Sequence, residues 1–296
     1  STADHHGPIC HPFFLNSNLI ASAPLFEEQD PVLKNVIVLA CANISFDNSS
    51  FPRGLIFNSY ANNAVEKHEL PFFPRSVRPR PVYKYGPYGQ DGIDKVKNLL
   101  KDKTIQGHIN KKQADNITSL IEEIYARPDV LACPTFSDQI TKTNFELWRK
   151  FFTPQNSSLH HNPHLEAPNL IYLEQETFVN QLLLDYHMDG DSTIHHILFD
   201  PAYDPLMSHY FEGIIGGFSL EKKAGTYLFW GLPEGSKYRL QMWKQGNQLV
   251  SADGSYRMEL TPENLREKLT KLELIPSTLL SFIVLAFYYG LKLLGG

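Results

Sequence analysis

The sequence predicts an α/β or mixed α+β protein: a core sheet of parallel strands flanked by helices, plus a small antiparallel β meander near the C-terminus. Two short apolar segments, residues 36–42 and 170–173, are typical of strands buried on both faces, as in a parallel sheet. Helical periodicity separates them, and strand-like segments divided by turn residues follow position 224. The 296 residues are 42% hydrophobic and 20% charged, which indicates a globular chain rather than a disordered one.

The first two-thirds of the chain is predicted to alternate strands with helices. The strand at 36–42 leads into a polar loop at 43–54, and loops at the carboxyl end of such strands are favoured ligand sites. Residues 71–92 are rich in proline and glycine and predict an irregular connection, with a short strand at 81–85. Apolar residues at helical spacing predict helices at 12–23, 93–100, 114–126, 145–152 and 178–185.

The last third begins with a change of period. Strands are expected at 226–230, 238–243 and 256–260, and a helix is expected to begin at Pro262 with Thr261 as its cap. We therefore predict a core over residues 1–222, a meander over 223–261 and a helical segment over 262–296, all packed as one unit.

Residues 275–291 form a run of 17 residues without a charge. A membrane-spanning helix needs about 20 apolar residues. Pro276 suits a first helical turn and Gly290 a helix end, and the stretch between them is short for a bilayer. We predict a buried helix; the alternative is association with a membrane through this segment.

Charge and motifs exclude several classes of protein. The chain has 27 basic and 32 acidic residues, a net charge of −5, which argues against a basic nucleic-acid binder. No Walker A, Gly-x-Gly-x-x-Gly or Gly-x-Ser-x-Gly pattern occurs, so no nucleotide cofactor is predicted. Three distant cysteines predict no disulfide framework, and no signal peptide is visible, so we expect a cytoplasmic protein.

Histidine is the unusual residue, with 12 in the chain, and the first cluster lies in residues 4–11. Because Gly7 and Pro8 break regular structure, we expect a turn that aims neighbouring side chains at one point. The predicted metal ligands, for zinc or manganese, are Asp4, His5, His6 and His11. Alternatives are a solvated segment, histidines that cap the next helix, or Cys10 and His11 acting as a thiolate–imidazole pair.

The other histidines have plainer interpretations. His160, His161 and His164 are expected in a surface loop. Ser192 is a plausible helix cap, which would place His195 and His196 in the first turns of a helix. We interpret these residues, together with His187 and His209, as ordinary structural positions.

Polar groups after the two core strands complete the predicted site. In the loop at 43–54, the predicted substrate-binding residues are Asn43, Asn48, Ser50 and Arg53, because arginine binds carboxylate or phosphate through two hydrogen bonds. Glu174 and Glu176 follow the second core strand, and we predict Glu174 as a catalytic acid or base, with a capped helix start as the alternative. The basic residues Arg75, Arg78, Arg80 and Lys84 either bind an anion or form a salt-bridged surface.

The sequence thus predicts an enzyme that acts on a small, polar and anionic substrate, a hydrolase or a transferase. The predicted catalytic residues are His6, His11 and Glu174. In one version a divalent metal activates water; in the other a histidine is the acid or base and Arg53 holds the substrate. The alternative is a non-catalytic ligand-binding or interaction protein that uses the meander aromatics Trp230, Tyr238 and Trp243.

Overall fold

A computed structural model describes residues 2–9, 12–28, 34–61, 63–151 and 168–292. The chain is mixed α/β and divides into two compact units. The first comprises the described parts of residues 1–40 and 44–173, and the second comprises Cys41–Asn43 and Glu174–Leu293. The division predicted at residues 222 and 261 stays a prediction.

A three-stranded parallel sheet organises the first unit, in the order β1-β2-β5. β1 is Thr2–His5, β2 is Asn35–Cys41 and β5 is Asn169–Glu174. The predicted strands at 36–42 and 170–173 are confirmed, with β2 ending one residue earlier. The expected burial on both faces was wrong at Ile37 and Ile171, which are 37% and 39% exposed. The predicted turn at 4–11 was wrong at its start, because Asp4 and His5 belong to β1 and the chain turns only from His6.

A hairpin that the sequence analysis did not predict extends the first unit. β3 (Gly54–Ala61) pairs antiparallel with β4 (Ala64–Pro71), and Asn63 lies between them with a φ of 61°. Such a positive φ is tolerated by asparagine better than by most residues. The strand predicted at 81–85 was wrong: Pro81 forms only an isolated bridge to Ser45, and the chain then turns.

Helices occur in each predicted helical region of the first unit. They are α1 (Pro12–Glu28), α2 (Gln90–Ile105), α3 (Lys111–Leu120), α4 (Pro128–Leu131) and α5 (Phe136–Phe151), with a π-helical turn at Ile121–Tyr125. Helix α4 was not predicted, and α5 begins nine residues before the predicted 145. An aromatic cluster of Phe46, Phe73, Tyr85 and Phe136 joins the irregular connection to the start of α5, with ring centroids 4.7 to 5.7 Å apart.

The second unit contains a five-stranded antiparallel sheet where the sequence predicted three strands. Its order is β10-β6-β7-β8-β9. The strands are β6 (Phe229–Gly231), β7 (Leu240–Gln245), β8 (Gln248–Ser251), β9 (Arg257–Glu259) and β10 (Leu274–Pro276). The helices are α6 (Gln175–Tyr186), α7 (Thr193–Phe199), α8 (Asp204–Phe211), α9 (Pro262–Thr270) and α10 (Thr278–Phe282).

Caps explain where several of these helices begin. The side chains of Ser192 and Thr261 accept backbone hydrogen bonds at the starts of α7 and α9, as predicted. Pro276 was wrongly assigned to a helical turn: it pairs with Phe229 in the sheet, and Ser277 caps α10 instead.

The apolar run near the C-terminus is buried only in part, because Phe282, Phe287, Tyr288 and Tyr289 are exposed. α10 continues as a π-helix over Ile283–Tyr288, where Ile283, Val284 and Leu285 are buried. Among the described residues, no helix combines the length and the apolar character needed to cross a membrane.

Candidate functional site

The first part of the site is the end of β1, where Asp4 is buried and 6% exposed. Its carboxylate accepts a hydrogen bond from the His5 backbone N–H at 2.6 Å. Burial raises the pKa of Asp4 to about 8, against the weaker opposing effects of its bonds to His5 and Tyr172. Asp4 therefore keeps its proton at neutral pH.

The side chain of Tyr172 on β5 contacts the turn that follows β1. Its hydroxyl lies 3.1 Å from the carbonyl oxygen of His5, 3.3 Å from Asp4 Oδ2 and 3.4 Å from the carbonyl oxygen of Gly7. Because the hydroxyl has one proton, it donates to one of these acceptors at a time. The ring also stacks on the imidazole of His6, with centroids 5.6 Å apart.

Polar side chains on one face of α5 contact both Tyr172 and the turn after β1. Ser137 Oγ lies 3.0 Å from His6 Nε2, and Thr141 donates to the carbonyl oxygen of Tyr172 at 3.1 Å. Asn144 donates to the carbonyl oxygen of Gly7 and accepts from the backbone N–H of Ile9, both at 2.9 Å. The spacing of four and then three residues places these three α5 side chains on the same helical face.

His6 is fully buried, and burial lowers its pKa to about 3. Its imidazole is therefore neutral at physiological pH. In the tautomer with a bare Nε2, it accepts the hydroxyl proton of Ser137. A serine nucleophile and its base also require a hydroxyl within hydrogen-bond reach of an imidazole nitrogen. Ser137 was missed because residues 6 and 137 are brought together only by the tertiary structure.

The loop after β2 meets the same turn. A side-chain hydrogen bond joins His5 to Asn48. Gly7 packs so closely on Pro52 that a Cβ on this glycine would lie 2.9 Å from the proline Cα. The first unit thus brings the predicted residues His5 and Asn48 into contact.

Arg53 and Ser50 belong to this loop. Arg53 is 7% exposed, and its guanidinium lies 5.1 Å from the centre of the Phe51 ring. The hydroxyl of Ser50 is buried and has no hydrogen-bond partner among the described residues. The hydroxyl of Ser50 is therefore a buried polar group, whereas Arg53 is largely buried but keeps some exposure.

The remaining predicted residues, Asn43 and Glu174, belong to the second unit. Glu174 accepts the hydroxyl of Thr177 at 2.5 Å at the start of α6. Arg239 donates to both the backbone carbonyl and the side-chain oxygen of Asn43. Asn43 and Arg239 line a cavity of about 490 Å³ together with Trp230.

Glu176, ranked second to Glu174 in the sequence analysis, makes the more extensive contacts. It accepts the backbone N–H groups of Ala42 at 2.7 Å and Asn43 at 3.1 Å, and the thiol of Cys41 at 3.2 Å. Burial raises its pKa. These bonds indicate that Glu176 holds the segment Cys41–Asn43 in place.

The other described histidines make structural contacts. His187 bonds to Ser192 at 2.9 Å and to the hydroxyl of Tyr289 at 3.1 Å. His196 lies 2.6 Å from Asp191. The predicted groups Cys10, His11, His160, His161 and His164 lie outside the described residues.

Metal coordination by residues 4–11 stays a prediction. Across the described ranges, no three histidine, cysteine, aspartate or glutamate side chains form a group that could hold a metal ion. His11, one of the predicted ligands, lies outside those ranges. No protein-family model matches the chain, and a search of curated proteins finds no significant similarity.

Proposed function

We propose that the first unit is a hydrolase for a small anionic substrate, with Ser137 as nucleophile, His6 as its base and Arg53 as the group that binds the anion. The observation that carries the proposal is the 3.0 Å contact between Ser137 Oγ and Nε2 of the buried His6. Ser137 is only partly buried, so a substrate can reach its hydroxyl. The imidazole of His6 stacks on the Tyr172 ring, and this stacking helps to hold Nε2 toward Ser137.

The chemistry assigned to the pair is a two-step transfer. Ser137 Oγ attacks the electrophilic carbon or phosphorus of the substrate while its proton passes to His6 Nε2. His6 then gives this proton to the leaving group. Water releases the bound group in a hydrolase, and another hydroxyl releases it in the transferase that we keep as the alternative reaction.

The position of Arg53 relative to this pair supports a shared site. His6 precedes Gly7, and Arg53 follows Pro52, so each lies one residue from the point where the turn and the loop touch.

The polar face of α5 contacts β5 and the turn after β1. These contacts support the predicted architecture of a parallel sheet with a helix packed on it.

The low pKa of His6 makes a distinctive prediction for the pH profile. A histidine with an ordinary pKa produces a loss of rate below about pH 6.5, as the base becomes protonated. His6, with a pKa of about 3, stays neutral through that range. We expect a rate that shows no acid limb between pH 5 and 7, and an acid limb near pH 6.5 would contradict the role of His6 as the base.

The direct test uses activated esters of acetate and phosphate, with a fluorophosphonate probe as a second measurement. Ser137→Ala should reduce hydrolysis by about 10³-fold or more and abolish covalent labelling. Ser208→Ala is the matched control, since Ser208 is an exposed serine of α8. Hydrolysis and labelling that survive in Ser137→Ala would remove the proposal.

The metal-assisted version is a separate prediction with its own test. In that version, zinc or manganese bound by Asp4, His5, His6 and His11 would supply an activated water. Metal analysis of protein purified without a polyhistidine tag tests it. A stoichiometric metal lost in His5→Ala supports this version, and metal-free protein with full activity refutes it.

A second candidate function is ligand binding by the second unit. The amide nitrogen of Asn43 is buried beside the 490 Å³ cavity and has no hydrogen-bond partner among the described residues. An acceptor on a ligand would satisfy this donor. Asn43→Ala should then weaken binding of ligands recovered with the purified protein, as measured by mass spectrometry under native conditions.

A further inference from the structure

The guanidinium of Arg53 has no direct ionic or hydrogen-bonding partner within the described ranges. The residue is only 7% exposed, and its side chain makes no ion pair or hydrogen bond with any residue there. Burying an ionised group away from water is unfavourable unless it is paired and hydrogen-bonded. The contact with the Phe51 ring at 5.1 Å offers the charge a π face but occupies none of its five N–H donors.

Two further arginines act on Arg53 electrostatically. Burial and the charges of Arg78 and Arg75 lower the pKa of Arg53, whereas Glu69 acts in the opposite direction. The backbone places them together, since the carbonyl oxygen of Arg53 accepts the N–H groups of Phe72 at 3.0 Å and Phe73 at 3.4 Å, just before Arg75.

Glu69, the carboxylate that acts on Arg53, is already shared. Glu69 lies 3.5 Å from Lys67 in an exposed ion pair. Among the described residues, Arg75 and Arg78 make no ion pair of their own. Because Glu69 is shared with Lys67, the guanidinium groups of Arg53, Arg75 and Arg78 leave a local excess of positive charge, although the whole chain carries a net charge of −5.

The loop that presents Arg53 is held in a fixed conformation. Asn48 accepts the backbone N–H of Ser50 through its side chain and that of Phe51 through its carbonyl oxygen. Phe51 has a φ of 55°, which is costly for a bulky residue and is found at ligand-binding positions more often than elsewhere. Gly54 is required, because a Cβ there would lie 2.2 Å from the carbonyl oxygen of Leu70.

We propose that Arg53, assisted by Arg75 and Arg78, binds the phosphomonoester group of a small soluble substrate. A guanidinium fork fits both carboxylate and phosphate. A phosphomonoester carries about −1.5 to −2 charges at neutral pH, which matches a cluster of three arginines better than a single carboxylate does. This assignment rests on the proposed function only in taking the bound group to be part of the substrate.

The experiment measures binding of inorganic phosphate, phenyl phosphate and malonate by isothermal titration calorimetry at fixed ionic strength. We expect Arg53→Gln to reduce the affinity for inorganic phosphate and phenyl phosphate by about tenfold or more. Arg53→Lys should reduce it less, because lysine keeps the charge but lacks the planar guanidinium with its two parallel donors. The double variant Arg75→Gln/Arg78→Gln should also weaken binding. Arg257→Gln, which removes an exposed arginine of β9, is the matched control and should bind like wild type.

Folding and catalysis are separated from binding by two further measurements. Circular dichroism establishes that each variant is folded, and Arg53→Lys keeps the test valid if Arg53→Gln does not fold. Ser137→Ala should bind phosphate as wild type does, so loss of its activity and loss of phosphate binding report on different proposals. If phosphate binds and Ser137 proves irrelevant to hydrolysis, only the catalytic proposal fails.

Four results would overturn the phosphate assignment. Three of them are unchanged phosphate binding in Arg53→Gln, equal losses in Arg53→Gln and Arg257→Gln, and malonate binding as tight as that of phosphate. A fourth is Arg53-dependent binding to phosphatidic acid vesicles without binding of phenyl phosphate, which would assign the site to a lipid surface and not to a soluble substrate.

Discussion

Replacing Asp4 with asparagine should make the stability of the first unit less dependent on pH. Asp4 is 6% exposed, and burial raises its pKa to about 8 from an ordinary value of 3.8. The folded state therefore holds the Asp4 proton more tightly than the unfolded state does. The stability contributed by the protonated carboxyl is complete below about pH 4 and is lost as the pH rises toward 8.

The two pKa values set the size of the effect. Unfolding releases the proton, and linkage gives a stability loss of about 1.5 kcal/mol at pH 5 and about 5 kcal/mol at pH 8. Asparagine does not titrate, and its side-chain oxygen can still accept the N–H of His5. The free energy of unfolding of wild type, relative to Asp4→Asn, should therefore fall by about 3.5 kcal/mol between pH 5 and pH 8.

Urea denaturation at a series of pH values measures this difference. The emission of the buried Trp148 reports on the first unit if Trp230 and Trp243 are replaced by phenylalanine in both proteins. Subtracting the two curves at each pH removes titrations that both proteins share, including that of His6. A difference that stays constant from pH 5 to pH 8 would show that Asp4 ionises in the folded protein as it does in water.

Three further substitutions test other contacts in the first unit. Gly54→Ala should destabilise the unit by about 3 kcal/mol, because its Cβ would meet the carbonyl oxygen of Leu70 at 2.2 Å, whereas Gly86→Ala has open space and should stay within about 0.5 kcal/mol in the same urea assay. Asn144→Ala leaves the backbone N–H of Ile9 without a partner and the carbonyl oxygen of Gly7 with only the 3.4 Å contact to Tyr172; it should cost about 1 to 3 kcal/mol, with faster amide exchange at Ile9, and unchanged exchange there would contradict this. Arg53→Met should raise the free energy of unfolding by about 1 to 3 kcal/mol in phosphate-free buffer, and the melting temperature should rise with it. A lower melting temperature would argue against an unpaired buried charge.

The core strands could be predicted because each contains a short continuous run of apolar residues. Residues 36–41 of β2 and 170–173 of β5 are continuously apolar, which is typical of strands in a parallel sheet, although Ile37 and Ile171 are exposed. The hairpin of β3 and β4 escaped prediction because two inward positions are polar. Ser59 and His68 are both buried, and their side chains bond to each other at 2.7 Å, so the apolar alternation expected of a strand is interrupted.

The site was predicted in part for a related reason. A histidine-rich turn and a loop with an arginine can be identified from residue types alone, and the structure joins the two segments through the contact of Gly7 with Pro52. The partner of His6 could not be identified, since Ser137 stands 131 residues away and no local pattern distinguishes it. The spacing of Ser137, Thr141 and Asn144 on α5 is a helical polar face, but a sequence does not say which surface that face meets.

Asp4, His6 and Arg53 share a property with the structural groups Glu176 and His187. Each is buried, and burial disfavours its charged form: it raises the pKa of Asp4 and lowers the pKa values of His6 and Arg53. Asp4 and His6 respond by becoming neutral, whereas Arg53 stays charged because the pKa of a guanidinium starts too high.

A protein selected for stability alone would place apolar groups at such positions, because buried ionisable groups are commonly replaced with a gain in stability. If these residues serve catalysis and anion binding, substitutions that stabilise the unit should reduce function. Asp4→Asn at pH 8 and Arg53→Met should each be more stable than wild type, and Arg53→Met should at the same time lose phosphate binding. If Arg53→Met gained stability and kept its affinity for phosphate, the buried charge would have no functional explanation.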